Sequence, residues 1–256
     1  MTATTPPVLT ILVTGASSGF GKAIAERFVR DGHRVVATAR RRDRLDALAQ
    51  DLGPALLPFV LDMNDAAAIA ALPGSLPAAW REIDVLVANA GLALGLGPAQ
   101  EARLSDWEQM VSTNVTGLMQ TVHALLPGMV ARDRGHVVTL GSVAGEYPYP
   151  GGNVYGATKA FVRQFVMNLK ADLVGRNVRV TDIEPGLCGG SEFSNVRFGD
   201  DEKAAKVYEG TVPLTPEDIA ESIAWVVGLP RHVNINRIEL MPTCQAAGAF
   251  MVKRNS

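Results

Sequence analysis

The stretch Thr14-Gly15-Ala16-Ser17-Ser18-Gly19-Phe20-Gly21 lies between an apolar run, VLTILVT at 8–14, and a segment with helical spacing at 19–31. The β-branched run predicts a buried parallel strand. Glycines at 15, 19 and 21 let the backbone turn tightly and approach a pyrophosphate, and the following helix offers unpaired N–H groups and the positive end of its dipole. The stretch therefore predicts a dinucleotide-binding loop, with a plain tight turn as the alternative.

The same alternation of strand and helix patterns continues along the chain. Strands are predicted at 34–39, 55–61, 83–91, 136–142, 177–186 and 237–242, and helices at 43–52, 104–132, 153–174 and from Thr215 onward. Pro58 places the third strand at a sheet edge, and Gly117 and Pro127 predict a kink or break in the long helix. The pattern predicts one α/β domain: a Rossmann-type, doubly wound, parallel seven-stranded sheet with helices on both faces. We expect residues 1–8 to be a flexible N-terminus, 9–256 the single nucleotide-binding and catalytic domain, and 187–212 a substrate lid.

Composition narrows the class of protein. The chain has 256 residues, of which 47% are hydrophobic and 20% charged, and a net charge of −2. These values suit a globular protein. A net charge of −2 gives no positive electrostatic field that would attract nucleic acid or an anionic membrane. A membrane span and a signal peptide are not apparent. The four histidines show no metal-ligand spacing. Cys188 and Cys244 fit the reduced thiols of a cytoplasmic protein better than a disulfide.

The end of the second strand indicates which dinucleotide binds. It reads Ala39-Arg40-Arg41-Arg42, and the first carboxylate is Asp43. Sites for NAD tend to carry an acid there, whereas arginine accommodates the 2′-phosphate of NADP. We therefore expect NADP(H), with Arg40 as the first candidate for the phosphate and Arg41 as the second. A solvated basic turn is the alternative for these side chains.

A phenol and an ammonium, Tyr155 and Lys159, are spaced i and i+4 on a predicted helix, so they share one face. A neighbouring positive charge should lower the pKa of Tyr155 and make it a usable general acid and base. Ser142 follows the fifth strand, where its hydroxyl can donate to a substrate carbonyl oxygen. Asn114 lies inside a helix, where burying its amide is costly unless the amide is used.

These motifs resemble those of the short-chain dehydrogenase/reductase family over nearly the whole chain. The resemblance implies a catalytic tetrad of Asn114, Ser142, Tyr155 and Lys159, with Lys159 also on the ribose and Asn114 holding a water. It implies Asp62 on the adenine, although Asp62 as a helix cap is the alternative. The other cofactor contacts that it implies are Gly15, Ser17, Ser18, Gly19, Phe20 and Gly21, then Asn89, Ala90 and Gly91, and then Pro185, Gly186, Cys188 and Ser191.

Longer segments are similar to the NADP-dependent 3-hydroxy acid dehydrogenases, which also oxidise serine and allo-threonine. They are 89–95, 151–165, 181–187, 191–198 and 233–236. This closer resemblance implies hydride transfer at C3 of a short β-hydroxy acid, and a homotetramer with a contact through the helices at 104–132 and 153–174. A broad carbonyl or β-keto ester reductase is the second hypothesis, and a non-catalytic NADP(H) sensor the third.

The residues themselves say less about the substrate. A carboxylate needs a cation, and Arg197 in the predicted lid is the candidate, with a solvated loop charge as the alternative. Leu94, Tyr147 and Tyr149 are candidates to line the pocket, although aromatic residues near an active site often serve only in packing.

Overall fold

A computed structural model describes residues 7–248 and shows one seven-stranded sheet, all parallel, in the order β3-β2-β1-β4-β5-β6-β7. The strands are β1 (Thr10–Thr14), β2 (Arg34–Ala39), β3 (Leu56–Val60), β4 (Val85–Ala88), β5 (Gly135–Leu140), β6 (Val178–Pro185) and β7 (Arg237–Leu240). The predicted fold class is confirmed, and β3, which contains Pro58, is an edge strand. Most of the predicted flexible segment 1–8 lies outside the described residues.

Helices connect these strands. They are α1 (Gly19–Arg30), α2 (Arg42–Leu52), α3 (Ala66–Ser75), α4 (Leu104–Val111), α5 (Leu118–Ala131), α6 (Asn153–Asp172), α7 (Phe193–Phe198), α8 (Asp201–Lys206) and α9 (Pro216–Gly228). Thr215 and Asp218 form a capping box that starts α9, as their spacing predicts. Within residues 7–248 no helix is long and apolar enough to cross a bilayer.

Alternate residues of each central strand point to opposite faces, and each face is covered by helices. Ile11 and Val13 of β1 pack with α1, α2 and α9, whereas Leu12 packs with α3, α5 and α6. Strands buried on both faces explain why the apolar runs in the sequence are continuous rather than alternating.

The predicted long helix at 104–132 is interrupted. A π-helical segment, Ser112–Gly117, separates α4 from α5, while Pro127 remains inside α5. Gly117 lies against Met63, whose carbonyl oxygen would collide with any Cβ at that position. The break therefore falls at the glycine of the two predicted positions, and Asn114 lies within it.

Candidate active site

The order of the strands reverses between β1 and β4, and such a switch point opens a crevice at the carboxyl ends of the strands. A cavity of about 830 Å³ opens there. It is lined by most of the predicted site residues: Gly15, Ser17, Ser18, Gly19, Phe20, Arg40, Arg41, Asp62, Asn89, Ala90, Gly91, Ser142, Tyr147, Tyr149, Tyr155, Lys159, Pro185, Gly186, Cys188, Ser191 and Arg197. Gly21, Leu94 and Asn114 lie behind this lining.

The glycine loop has the conformation that its sequence predicts. Gly15 and Gly19 have φ values of 70° and 53°, which side chains other than glycine rarely adopt. At Gly21 a Cβ would collide with the carbonyl oxygen of Gly15, so this glycine lets α1 pack against the loop. Ser18 does not cap α1 with its side chain, so the first N–H groups of the helix remain available to a phosphate.

Arg41 folds back onto this loop, whereas Arg40 is exposed. The Arg41 Nη2 donates to the hydroxyls of Ser17 at 3.0 Å and Ser18 at 2.9 Å. Both arginines line the cavity, and of the two it is Arg41 whose guanidinium lies beside the glycine-rich loop.

Asp62 follows β3 and faces the same end of the cavity. Its Oδ1 accepts hydrogen bonds from the backbone N–H and side chain of Asn64, at 3.0 and 3.2 Å. The cap of α3 is instead Asp65, which accepts from the N–H of Ala68 at 2.9 Å. The alternative interpretation of Asp62 as a helix cap is therefore wrong.

Tyr155 and Lys159 lie side by side in α6, both buried. The Lys159 Nζ is 5.8 Å from the centroid of the Tyr155 ring and donates to the carbonyl oxygen of Leu140 at 2.6 Å. The expected lowering of the Tyr155 pKa is wrong for the protein alone. Burial raises the pKa of Tyr155 to about 12, and the Ser142 side chain and Arg197 only partly offset it. Burial also lowers the pKa of Lys159 to about 8, against the opposing effect of Asp182.

Ser142 comes directly after β5 and faces the gap beside α6. Its Oγ accepts from the N–H of Ala144 at 3.1 Å and donates to the carbonyl oxygen of Pro185 at 3.4 Å. Both contacts hold the Ser142 hydroxyl at the cavity wall next to Tyr155.

Asn114 uses its whole amide, as its burial requires. Its Nδ2 donates to the carbonyl oxygen of Leu92 at 2.8 Å and to Thr158 at 3.1 Å, and its Oδ1 accepts from the N–H of Leu92 at 2.9 Å. A Cβ on Gly91 would lie 3.2 Å from that oxygen and 3.7 Å from the Lys159 Nζ. Asn114 thus joins the loop after β4 to α6 beside Lys159.

The predicted lid contributes Arg197, Phe193 and Ser191. Phe193 packs against Tyr155 with ring centroids 5.8 Å apart. The Arg197 guanidinium carbon lies 5.5 Å from the Tyr155 ring centroid, and its Nη2 donates to the Tyr149 hydroxyl at 2.9 Å. Tyr147 instead donates to Glu239 at 3.2 Å. Leu94 packs against the cluster formed by Ala93, Met110 and Tyr155, and Leu92 and Leu96 line the cavity in its place.

Cys188 is a packed thiol. Burial, and after it Asp218, raises the pKa of Cys188 to about 12, so its sulfur is protonated and is not a nucleophile. Both Cys188 and Cys244 are free cysteines, which confirms the prediction that they form no disulfide.

Sequence reasoning missed the contribution of the chain after β7. Met241 and residues 245–248 line the cavity, and the Gln245 Oε1 accepts from the N–H of Leu187 at 2.7 Å. A single glutamine 58 positions away carries no local signal for such a contact. Glu192, which pairs with Arg41 at 3.0 Å, was also missed.

A phosphate-binding loop and a buried tyrosine–lysine pair on the two sides of one crevice define a dinucleotide-dependent oxidoreductase. A model of the short chain dehydrogenase family matches residues 9–200, and the chain belongs to that family.

Individual relatives cover almost the whole chain. The NADP-dependent 3-hydroxy acid dehydrogenase YdfG of Salmonella typhi is 60% identical over 246 residues, which are 96% of this chain and 99% of the relative. Serine 3-dehydrogenase of Agrobacterium fabrum is 51% identical over 248 residues, 96% of this chain and 99% of the relative. A solved closed form of serine dehydrogenase complexed with NADP⁺ is 56% identical, has a TM-score of 0.95, and is matched over 96% of this chain and 100% of its own.

Proposed function

We propose that this protein is an NADP(H)-dependent dehydrogenase that transfers a hydride between the nicotinamide and C3 of a short β-hydroxy acid such as 3-hydroxypropionate, serine or allo-threonine. The observation that carries the proposal is the Arg197 guanidinium 5.5 Å from the Tyr155 ring centroid. A β-hydroxy acid has its carboxylate two carbons from the reacting hydroxyl, so it requires a cation next to the proton-transferring group. The relatives named for 3-hydroxy acids and serine support this choice.

The cavity fits the cofactor at its phosphate end. The open N-terminus of α1 and the glycines of the loop suit a pyrophosphate, and Arg41 beside Ser17 and Ser18 suits a 2′-phosphate. The ribose hydroxyls would be held by Lys159, and the carboxamide by the backbone near Cys188. A relative solved with NADP⁺ supports the preference for the phosphorylated cofactor. When bound, NADP(H) supplies or accepts the hydride.

The residues of this chain transfer the proton and stabilise the charge that develops on the reacting oxygen. Tyr155, whose pKa is raised to about 12 by burial, holds the proton that a carbonyl oxygen needs during reduction. In oxidation Tyr155 must first be a phenolate so that it can accept that proton, and the ammonium of Lys159 favours the phenolate form. Ser142 donates to the same substrate oxygen, and Asn114 holds the backbone at Leu92. The second lone pair of the Asn114 Oδ1 would accept from a water near Lys159.

Arg197 is positioned to bind the substrate carboxylate. Its Nε donates to the carbonyl oxygen of Gly95 at 3.1 Å and its Nη2 to the Tyr149 hydroxyl at 2.9 Å. Within residues 7–248 the Arg197 Nη1 has no hydrogen-bond partner, so this nitrogen is available to donate to a ligand. A charge-assisted bond from this nitrogen would hold the carboxylate above Tyr155, and the segment 187–212 would act as a lid that carries Arg197.

The second candidate, a broad carbonyl or β-keto ester reductase, is favoured by the size and walls of the cavity. About 830 Å³ also leaves room for a larger substrate, and Leu92, Leu96 and Phe198 add apolar surface. The decisive experiment measures turnover of L-serine and 3-hydroxypropionate with NADP⁺ and with NAD⁺, beside reduction of a neutral aryl ketone with NADPH. We expect the acids to be preferred, with NADP⁺. Activity on the ketone alone would favour the reductase.

We also propose that the protein is a cytoplasmic homotetramer. Exposed apolar side chains, Val111, Met119 and Met167, lie on α4, α5 and α6, and the first and last of these helices pack together. A second copy of the chain would cover these side chains in the four-helix contact. Sedimentation analysis should give a tetramer, and Met167→Asp should reduce it to dimers or monomers. A monomeric wild-type protein would contradict the proposal.

A further inference from the structure

Glu192 joins the start of the predicted lid to the arginine-rich turn after β2. Its Oε2 lies 3.0 Å from the Arg41 Nη1 and its Oε1 lies 2.7 Å from the Arg44 Nη1. The hydrogen bond from Arg44, together with the weaker effect of Arg41, keeps the pKa of Glu192 below its usual value, although burial acts in the opposite direction. This carboxylate is therefore charged at neutral pH and is shared by two guanidinium groups.

Arg41 is the guanidinium beside the phosphate-binding loop. Its Nε and Nη2 are used by Ser17, its Nη2 also by Ser18, and its Nη1 by Glu192. The carboxylate thus accepts from Nη1, the one nitrogen of the guanidinium that the two serines do not contact. A carboxylate and a phosphate oxygen bind a guanidinium in the same way, so Glu192 stands where an anion of the cofactor would be attracted.

We propose that Glu192 is a specificity-determining residue that competes with the cofactor 2′-phosphate for Arg41. The inference rests on the proposed use of NADP(H). A 2′-phosphate carries more negative charge than a carboxylate and presents three oxygens, so it displaces Glu192 from Arg41. Glu192 keeps its ion pair with Arg44, and about two fifths of each side chain is exposed. Breaking the ion pair between Glu192 and Arg41 therefore costs little free energy. This small cost lowers the affinity for NADP(H) without abolishing it.

The residues on either side of Glu192 connect its contact with Arg41 to the rest of the lid. Ser191 precedes Glu192 and packs over the glycine loop, where its Cβ would be 2.9 Å from a Cβ built on Gly19. Phe193, which packs on Tyr155, follows it. The contact between Glu192 and Arg41 thus ties the first turn of the lid to the site of the extra phosphate.

The test isolates the adenosine end of the cofactor. Binding of 2′,5′-ADP and of 5′-AMP is measured by calorimetry at low salt for the wild type, Glu192→Gln and Glu202→Gln. Glu202 is a matched control because it is an exposed carboxylate of the same segment and belongs to none of the ion pairs described within residues 7–248. We expect Glu192→Gln to bind 2′,5′-ADP about three- to tenfold more tightly, since Arg41 is released and a like charge is removed.

The same variant should bind 5′-AMP with unchanged affinity, because that ligand lacks the 2′-phosphate, and Glu202→Gln should match the wild type with both ligands. In an Arg41→Ala background the gain from Glu192→Gln should disappear. A wild type that binds 2′,5′-ADP no better than 5′-AMP would contradict the use of NADP(H) itself. A wild type with that preference, combined with a Glu192→Gln variant that binds 2′,5′-ADP equally or more weakly, would overturn only the competition.

Discussion

The Arg197 guanidinium carbon lies 5.5 Å from the ring centroid of Tyr155, so a surface segment brings a permanent positive charge to the group proposed to transfer the proton. The charge also acts on that group directly, because it opposes the rise in the Tyr155 pKa that burial causes. A carboxylate bound to Arg197 would cancel part of this effect. Substrate binding and proton transfer are thereby linked through one side chain.

Replacing Arg197 by Met should therefore separate the two candidate functions. We expect the KM for 3-hydroxypropionate and L-serine to rise about 10- to 100-fold, because a charge-assisted hydrogen bond to the carboxylate is lost. Reduction of a neutral aryl ketone should change by less than about threefold by the same principle. Lys206→Met removes an exposed cation of the same segment and serves as the control. Equal losses on acids and ketones would show that Arg197 supports the fold of the lid rather than the carboxylate.

Tyr155→Phe removes only the hydroxyl proposed to carry the proton. Turnover in both directions should fall about 10²- to 10⁴-fold, which is the usual contribution of a positioned acid or base. Binding of NADPH, followed by nicotinamide fluorescence, should stay close to the wild type because the ring still packs against Phe193. A variant that retains full activity would contradict the proposed chemistry and would favour the non-catalytic NADP(H) sensor.

The fold could be predicted almost completely from local patterns, whereas α3 and the two short helices of the lid, α7 and α8, were missed. The central strands are continuous apolar runs rich in β-branched residues, and the ends of all seven strands agree with the structure to within a few residues. The segment Ala66–Ser75 reads AAAIAALPGS, which is apolar all round and carries Pro73, so it has no amphipathic period to detect. Its one signal is the Asp65 cap, which sequence reasoning did not use.

Prediction of the site was limited in a different way. Motif residues such as Tyr155 and Lys159 share one helix, so their spacing determines their proximity. Contacts made between distant segments, such as Gln245 with Leu187 or Glu192 with Arg41, depend on how loops pack and leave no period in the sequence. The pKa of Tyr155 was predicted in the wrong direction because burial, which the sequence alone did not quantify, outweighs the lowering by the Ser142 side chain and Arg197.

Lys159 should set the alkaline limit of reduction. Burial lowers its pKa to about 8, so its ammonium is present below that pH and is lost above it. Tyr155, with a pKa of about 12, stays protonated through this range and cannot cause the change. We therefore expect kcat/KM for NADPH to fall as the pH rises through about 8.

Lys159→Arg is the test of this assignment, because a guanidinium keeps its charge at all working pH values. The fall near pH 8 should disappear in the variant, even where its rate is lower. Where turnover is too slow, the pH dependence of NADPH binding provides the same titration. A fall at the same pH in Lys159→Arg would assign the limit to another group.

Glu184 should make the stability of the protein decrease as the pH rises. It is 1% exposed on β6 beside the equally buried Asp182, with the Arg237 Nε at 3.6 Å and the Arg163 Nε at 3.9 Å. Burial, and after it Asp182, raises the pKa of Glu184 to about 7, which the two arginines only partly offset. The native protein therefore keeps a proton that the unfolded chain releases near pH 4.5, the ordinary value for this group.

Between these two pH values the native state binds more protons than the unfolded chain. The stabilisation that Glu184 contributes is therefore complete below about pH 4.5 and is lost as the pH rises through about 7. Glu184→Gln should remove this contribution. The decrease in the free energy of unfolding across that range should be smaller in the variant by roughly 1–3 kcal/mol. Urea unfolding at fixed protein concentration, repeated over the pH series, measures the difference. Glu209→Gln, at an exposed site, should give a curve parallel to the wild type. A Glu184→Gln curve that is also parallel would show that Glu184 titrates normally in the folded protein.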